Sequence, residues 1–346
     1  MKKLKGISVY CGLDDYPLDS NLEYLELAKS KGVDFVFSSA HIDEAKSFNE
    51  FETIVNKCYD LGLQLVVDAS KKAFDKVEKF LDKCVLRLDY GFSKEEVVEF
   101  TNKYPLIELN ASLVTKDYLD SLKELGANLE HIRVSYNFYP KRYTGLDIHF
   151  VKENNKLFKS YGLTVIAYIP SNSNKRPPLY DGLPSVERHR NLDIELVCYE
   201  LFAALCDGVC IGDAYASHND LEKLVNVSSE YYEIPIKVIE GISKEELEVL
   251  NRIHRMRLDS GPYMKRSSSS RGIDIVPFNT ISIIPYMVTI DNSNYLRYRG
   301  ELGIALKDME NMGKVNVVAS VLNEAHTLVD LIDAPAQFRF KITNEV

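Results

Sequence analysis

Eight short apolar runs punctuate the first two-thirds of the chain: Leu4–Tyr10, Asp34–Ser39, Gln64–Ala69, Val85–Tyr90, Leu106–Ala111, His131–Phe138, Leu163–Ile169 and Gly208–Ala214. Each has the length of a buried strand, and stretches with helical spacing separate them. Eight strand–helix alternations predict an α/β fold, a (β/α)8 TIM barrel. The helix boundary signals agree. Ser93-Lys94-Glu95-Glu96 is a capping box ahead of Val97–Lys103, and Gly32, Gly126 and Gly162 each stand at a helix end just before the next run. The last crossover is longer. It opens with the polar, proline-broken segment 171–182 and closes with a helix near Glu187–Ala204. Long loops in compact domains tend to carry function.

Beyond Ser217 the pattern changes. His218–Val225 continues as helix, Glu233–Ile239 reads as a strand and Ser243–Asn251 as a capped helix. Strand-like runs follow at Ile273–Pro277, Ile281–Ile284, Met287–Ile290, Glu301–Leu306, Val315–Ala319, Thr327–Leu331 and Phe338–Ile342, with turn signals at 291–294 and at Met312-Gly313. These predict a small antiparallel β-barrel domain over residues 231–346, after a barrel domain over 1–230. A barrel needs roughly 250 residues, so 346 accommodate both.

A net charge of −9 argues against a general nucleic-acid surface, and no apolar run approaches the length of a membrane span. Met1-Lys2-Lys3-Leu4-Lys5 passes straight into the first run, which leaves no room for a signal peptide and points to the cytoplasm. The six cysteines fit reduced core positions there. With no glycine-rich nucleotide loop and no zinc-like His/Cys spacing, neither cofactor nor metal is expected. Assembly into a homo-oligomer is left open.

Residues two apart on a strand share a face. Arg87 with Asp89, Glu108 with Asn110, and Arg133 with Ser135 and Asn137 therefore point inward together and form a polar ladder inside the barrel. Arg87 and Glu108, one layer down, are expected to form a buried ion pair. Asp89 and Asn110 reach the rim, where barrel enzymes do their chemistry. Asp68 and Asp213 end two further strands, and Glu187 lies on the last crossover. Several carboxylates at one mouth suit acid/base chemistry, including glycoside cleavage. The segment from Asn137 through Tyr139 to Gly145 adds amide, aromatic and basic groups suited to a sugar anion. In the second domain, Arg266, Ser269 and Arg271 combine basic and hydroxyl groups in a way that fits a phosphate.

The segments Tyr136–Leu146, Asp181–Arg190, Ile211–Ser217, Arg87–Phe92, Ile107–Ser112, Tyr298–Asp308 and Gly313–Val318 resemble the MupG-type family of 6-phospho-N-acetylmuramidases, and the likeness runs over essentially the whole chain. The resemblance implies a TIM barrel followed by a cyclophilin-like β domain. It also implies a cytoplasmic glycosidase of cell-wall (peptidoglycan) recycling that separates N-acetylmuramic acid 6-phosphate from N-acetylglucosamine. On that reading Asp89 and either Glu187 or Asp213 are the acid/base partners. Asp68, Glu108, Asn110, Asn137 and Tyr139 contact the sugars, and Arg266, Ser269 and Arg271 hold the phosphate. The mouth departs from the family pattern at Tyr10–Asp15 and at Arg176-Pro177-Pro178, where a tryptophan would be expected and this chain has none. Two other readings compete. One is a metal-assisted phosphosugar aldolase or epimerase using Asp68, Asp89 and Asp213, although no strand end carries a Schiff-base lysine. The other is a non-catalytic sugar-phosphate binding protein.

Overall fold

The computed structural model describes residues 2–40, 50–259 and 261–343, which fall into two compact units, Met1–Val227 and Ser228–Val346. In the first, every predicted run contains a strand: β1 (Leu4–Ser8), β2 (Phe35–Ser39), β3 (Gln64–Ala69), β4 (Cys84–Leu88), β5 (Ile107–Asn110), β6 (Ile132–Ser135), β7 (Thr164–Ile169) and β8 (Gly208–Ile211). All are parallel, each pairs with the next, and β8 returns to β1, closing the barrel. The intervening helices are α1 (Leu18–Lys31), α2 (Phe51–Asp60), the single turn α3 (Phe74–Val77), α4 (Lys94–Lys103), α5 (Lys116–Glu124), α6 (Ile148–Ser160), α7 (Ile194–Ala203) and α8 (His218–Asn226). The box that starts α4 forms as read: Ser93 Oγ accepts from the Glu96 amide and the Glu96 carboxylate accepts from the Ser93 amide. Gly32 ends α1 at φ +90°, a left-handed conformation that costs any other residue. The predicted helix over 187–204 is shorter: Glu187–Asn191 forms a 3-10 turn and α7 begins at Ile194.

The register lines up charges across the barrel wall. Asp68 stands opposite Arg87, Arg87 opposite Glu108, and Glu108 opposite Arg133. Parallel in-register neighbours point the same way, so acids and bases alternate along one inward-facing row over β3 to β6. The other side of the interior is apolar and aromatic, with Tyr10, Phe35, Phe37, Val66, Ile166 and Tyr168 packed together.

The second unit is a seven-stranded sheet in the order β10-β15-β9-β14-β12-β13-β11. Its strands are β9 (Tyr232–Val238), β10 (His254–Arg255), β11 (Met264–Ser267), β12 (Met287–Asp291), β13 (Leu302–Ala305), β14 (Val315–Val321) and β15 (Gln337–Ile342). The sheet nearly closes, because the Arg257 amide just past β10 donates to the Arg266 carbonyl of β11 at 2.9 Å. It is mixed rather than wholly antiparallel as expected: β15 runs parallel to β9. Between β14 and β15 the chain passes through the short helix α10 (His326–Leu331) and skips over β9; β15 runs opposite to β14, which is itself antiparallel to β9, and so lies parallel to β9 on its far side. That helix occupies the predicted strand 327–331. Its buried Leu328, Val329 and Leu331 are read as easily in helical as in strand periodicity over so short a run. The other helix of this unit, α9 (Lys244–Leu250), has a second capping box at Ser243 and Glu246. Ile273–Pro277 joins no ladder, and Ile281–Ile284 makes only the isolated antiparallel bridge of Ile283 with Met309. Pro277 cannot donate a ladder hydrogen bond, and Val276 and Ile281 are 76% and 47% exposed. None of the described helices is long and apolar enough to cross a membrane.

Candidate active site

The charge row places Arg87 at the centre of the barrel's polar half. Its guanidinium is buried and has several close acceptors: Asp68 Oδ1 at 2.5 Å, Asn137 Oδ1 at 2.7 Å and Ser135 Oγ at 2.8 Å. Asp89 Oδ1 lies 3.8 Å and Glu108 Oε1 3.6 Å away. Burial works against the Arg87 charge, and the adjacent Asp68 carboxylate more than offsets it, so the guanidinium is held protonated. The expected buried Arg87–Glu108 ion pair is present at 3.6 Å, but it is not the closest contact of either residue. Arg87 bonds most closely to Asp68, and Glu108 bonds to Arg133, whose Nε donates to Glu108 Oε2 at 2.6 Å. Arg133 Nη1 also donates to Gln64 Oε1 at 3.0 Å, and its guanidinium lies over the Phe35 ring. Glu108 and Arg133 are both nearly inaccessible, which makes them a support layer beneath the mouth.

Above that layer Asp89, one residue past β4, is half-buried and accepts from Asn110 Nδ2 at 3.2 Å. Asn110 Oδ1 accepts from the Ser112 amide, so the carboxamide cannot turn away from Asp89. Ser112 Oγ in turn meets the Asn137 amide at 3.3 Å and the Tyr139 hydroxyl at 3.4 Å. Because Asp68 Oδ1 and Asp89 Oδ1 both approach Arg87 Nη1, these two oxygens are at most about 6.3 Å apart. A cleft of about 230 Å3 opens beside Asp89 and Asn110, walled by Tyr90, Phe92, Leu113 and Tyr118. The structure therefore brings together Asp68, Asp89, Glu108, Asn110 and Asn137 around one guanidinium, with Tyr139 linked through Ser112.

Glu187 and Asp213 are held otherwise. Glu187 Oε1 accepts from the Tyr143 amide and Arg190 Nε, and Oε2 from the Gly145 amide and Arg190 Nη2, all at 2.7–2.9 Å. The Arg190 hydrogen bonds, aided by the two amides and opposed by partial burial, pull its carboxyl down to about 2. Gly145 has to be glycine here, since a Cβ would stand 2.7 Å from the Glu187 nitrogen. Asp213 is fully buried. Its oxygens accept from the Ser171 and Arg176 amides, each at 2.8 Å, which pins the start of the 171–182 loop. Burial pushes its carboxyl up, against the pull of those amides and that of Leu183. In this arrangement both carboxylates fasten mouth loops.

In the second unit Arg266 lies on β11 rather than in a loop. It reaches Glu301 Oε1 at 3.4 Å and Asp259 Oδ2 at 3.3 Å, and Arg271 bonds to the same Glu301. Ser269 Oγ accepts from Ser267 Oγ at 2.9 Å. These arginines already face carboxylates of their own unit.

Sequence reading overlooked the aromatic layer that Phe138 joins beneath the mouth. Phe37, Phe138 and Tyr168 meet edge to face at centroid distances of 5.0–6.0 Å. Arg176, also overlooked, lays its guanidinium 4.6 Å from the Tyr10 centroid and 5.8 Å from that of Phe138. Only the alternation of aromatics at the ends of the first, second and seventh runs hinted at this wall. Tyr10, Phe37 and Tyr168 are buried, so this layer supports the mouth from below, and of the group only Phe138 is partly accessible beside the hydrogen-bonding residues.

Residues 5–226 match the family model described as 6-phospho-N-acetylmuramidase, N-terminal, and residues 232–341 the model of the C-terminal region. No curated protein sequence matches. A crystal structure of an uncharacterized B. cereus protein is similar at 29% identity and TM-score 0.86, covering 99% of this chain and 100% of that one. A conserved Enterococcus faecalis protein of unknown function is 27% identical with TM-score 0.70, over 99% of this chain and 97% of that one.

Proposed function

Since this chain belongs to the 6-phospho-N-acetylmuramidase family and is a glycosidase, we propose that it hydrolyses the bond between N-acetylmuramic acid 6-phosphate and N-acetylglucosamine, in the cytoplasm, as a step of peptidoglycan recycling. The observation that carries this reading is the pair Asp68 and Asp89 on one guanidinium, close enough to flank a single glycosidic bond. Asp89 is the proton carrier: it is half-buried, held by Asn110, and borders the cleft. Asp68, bound to Arg87, is the anion that stabilises positive charge developing on the ring. Asn110, Asn137 and Tyr139 orient hydroxyl and acetamido groups. The aldolase reading loses ground to the family match, and the pairing of Asp68 with Arg87 disfavours it further.

The test is to incubate the protein with the phosphorylated disaccharide and with its unphosphorylated twin, and to follow both by mass spectrometry. The proposal expects cleavage of the phosphorylated compound into two sugars. An intact disaccharide with folded protein refutes it.

A further inference from the structure

We propose that Lys175 anchors the phosphate monoester of the substrate, so that the barrel unit itself reads the phosphate; this rests on the glycosidase reading above. The arginines Arg142 and Arg190 beside the 181–190 segment are matched. Arg142 bonds to Asp181, and Arg190 holds both oxygens of Glu187 and the carbonyls of Tyr139 and Gly182. Lys175 is half-buried and has no hydrogen bond or ion pair among the described residues. Its charge is felt by Asp181 and Asp213, yet it bridges to neither.

The loop presents this ammonium from a fixed frame. Asp213 pins the amides of Ser171 and Arg176, on either side of it in sequence. Asp220, in the first turn of α8, accepts from the Ser171 and Ser173 hydroxyls at 2.9 and 2.6 Å. The Lys175 stem passes Gly182, where its Cδ and Asp213 Oδ2 each lie 3.7 Å from the place a Cβ would occupy. The lysine therefore stands beside the ends of β7 and β8, and loops after strands seven and eight are where barrel folds commonly bind phosphate. A lysine ammonium is a compact charge with three donors, suited to a group carrying roughly −1.5 to −2 at neutral pH. Arg266 and Arg271 by contrast converge on the buried Glu301, which diminishes their pull on a further anion.

The experiment compares wild type, Lys175→Met and Lys175→Arg. Steady-state kinetics use the phosphorylated and unphosphorylated disaccharides. Calorimetry uses N-acetylmuramic acid 6-phosphate, N-acetylmuramic acid and N-acetylglucosamine 6-phosphate. We expect Lys175→Met to raise KM for the phosphorylated disaccharide roughly 10–100-fold with little change in kcat, and Lys175→Arg to restore part of it. Affinity for both sugar phosphates falls alike, and affinity for N-acetylmuramic acid does not. Four results overturn the proposal: an undiminished phosphate preference in Lys175→Met, an equal loss on both disaccharides, a loss confined to compounds bearing the lactyl carboxylate, or a preference abolished by Arg266→Gln instead. If wild type cleaves neither disaccharide but binds sugar phosphates in a Lys175-dependent way, the glycosidase reading falls and the phosphate assignment stands.

Discussion

Replacing Glu187 by Gln separates a loop anchor from a proton carrier. The side chain receives two backbone amides and both reachable nitrogens of Arg190, and these hold its carboxyl at about 2 instead of the ordinary 4.5. A depressed folded-state value stabilises the fold above the unfolded value, near 4.5, and that contribution is lost as pH falls toward 2. Taken in full the difference corresponds to at most ~3 kcal/mol. The carboxylate is 27% exposed at the rim, where water screens it, so about 1–2 kcal/mol is the expected loss in Glu187→Gln at pH 7. Urea denaturation at pH 7 and pH 3 reads this, with a smaller difference at the lower pH. Steady-state kinetics on the phosphorylated disaccharide should show kcat within about tenfold of wild type and an unchanged shape of the pH profile. Undiminished stability, together with a kcat drop of roughly 10²–10⁴-fold and loss of one limb of that profile, would refute the anchoring role and make Glu187 the acid/base residue.

Further outcomes follow from the buried charges. Glu108→Leu leaves Arg133 buried without its carboxylate and should destabilise the barrel by about 3–5 kcal/mol in chemical denaturation, with much of the loss recovered in Glu108→Leu/Arg133→Leu; a single variant as stable as wild type contradicts the support-layer account. Asp213→Ala frees the amides of Ser171 and Arg176, so hydrogen exchange at 171–176 should speed up and KM should rise. Protection as in wild type would show that the loop is held by other contacts. Burial, with Glu301 adding to it, pushes the Asp291 carboxyl up to about 7. The folded state therefore holds that proton more tightly than the unfolded chain, and stability falls as pH rises from about 4 to 7. Thermal melts across that range should show the decline in wild type and a weaker one in Asp291→Asn.

The barrel was legible because each strand is a continuous apolar run bounded by capped helices, so periodicity and punctuation agreed. The polar ladder was legible for the same reason: Arg87, Glu108 and Asn110 sit on strands, and Asp89 directly follows one, where alternation fixes direction. Partner choice was not. Register puts Arg87 between Asp68 and Glu108, and side-chain reach, not spacing, decides that it bonds to the first. Loop carboxylates were least legible. Glu187 and Asp213 looked like active-site acids from their place near the mouth, while their hydrogen bonds go to amides of residues tens of positions away. In the second unit, β11 escaped notice because Met264-Lys265-Arg266-Ser267 is polar, and its pairing with β13 is a long-range fact. Arg176 and Lys175 were hidden in a proline-broken loop whose path depends on Asp213 and Asp220.

The measurement that bears most directly on the whole account is kcat of Asp89→Asn on the phosphorylated disaccharide, with circular dichroism and melting used to show an intact fold. Asparagine keeps the shape and the contact with Asn110 but cannot carry the proton. The account predicts a fall of roughly 10²–10⁴-fold with KM little changed. Near-normal turnover would contradict it and move the chemistry away from the Arg87 cluster.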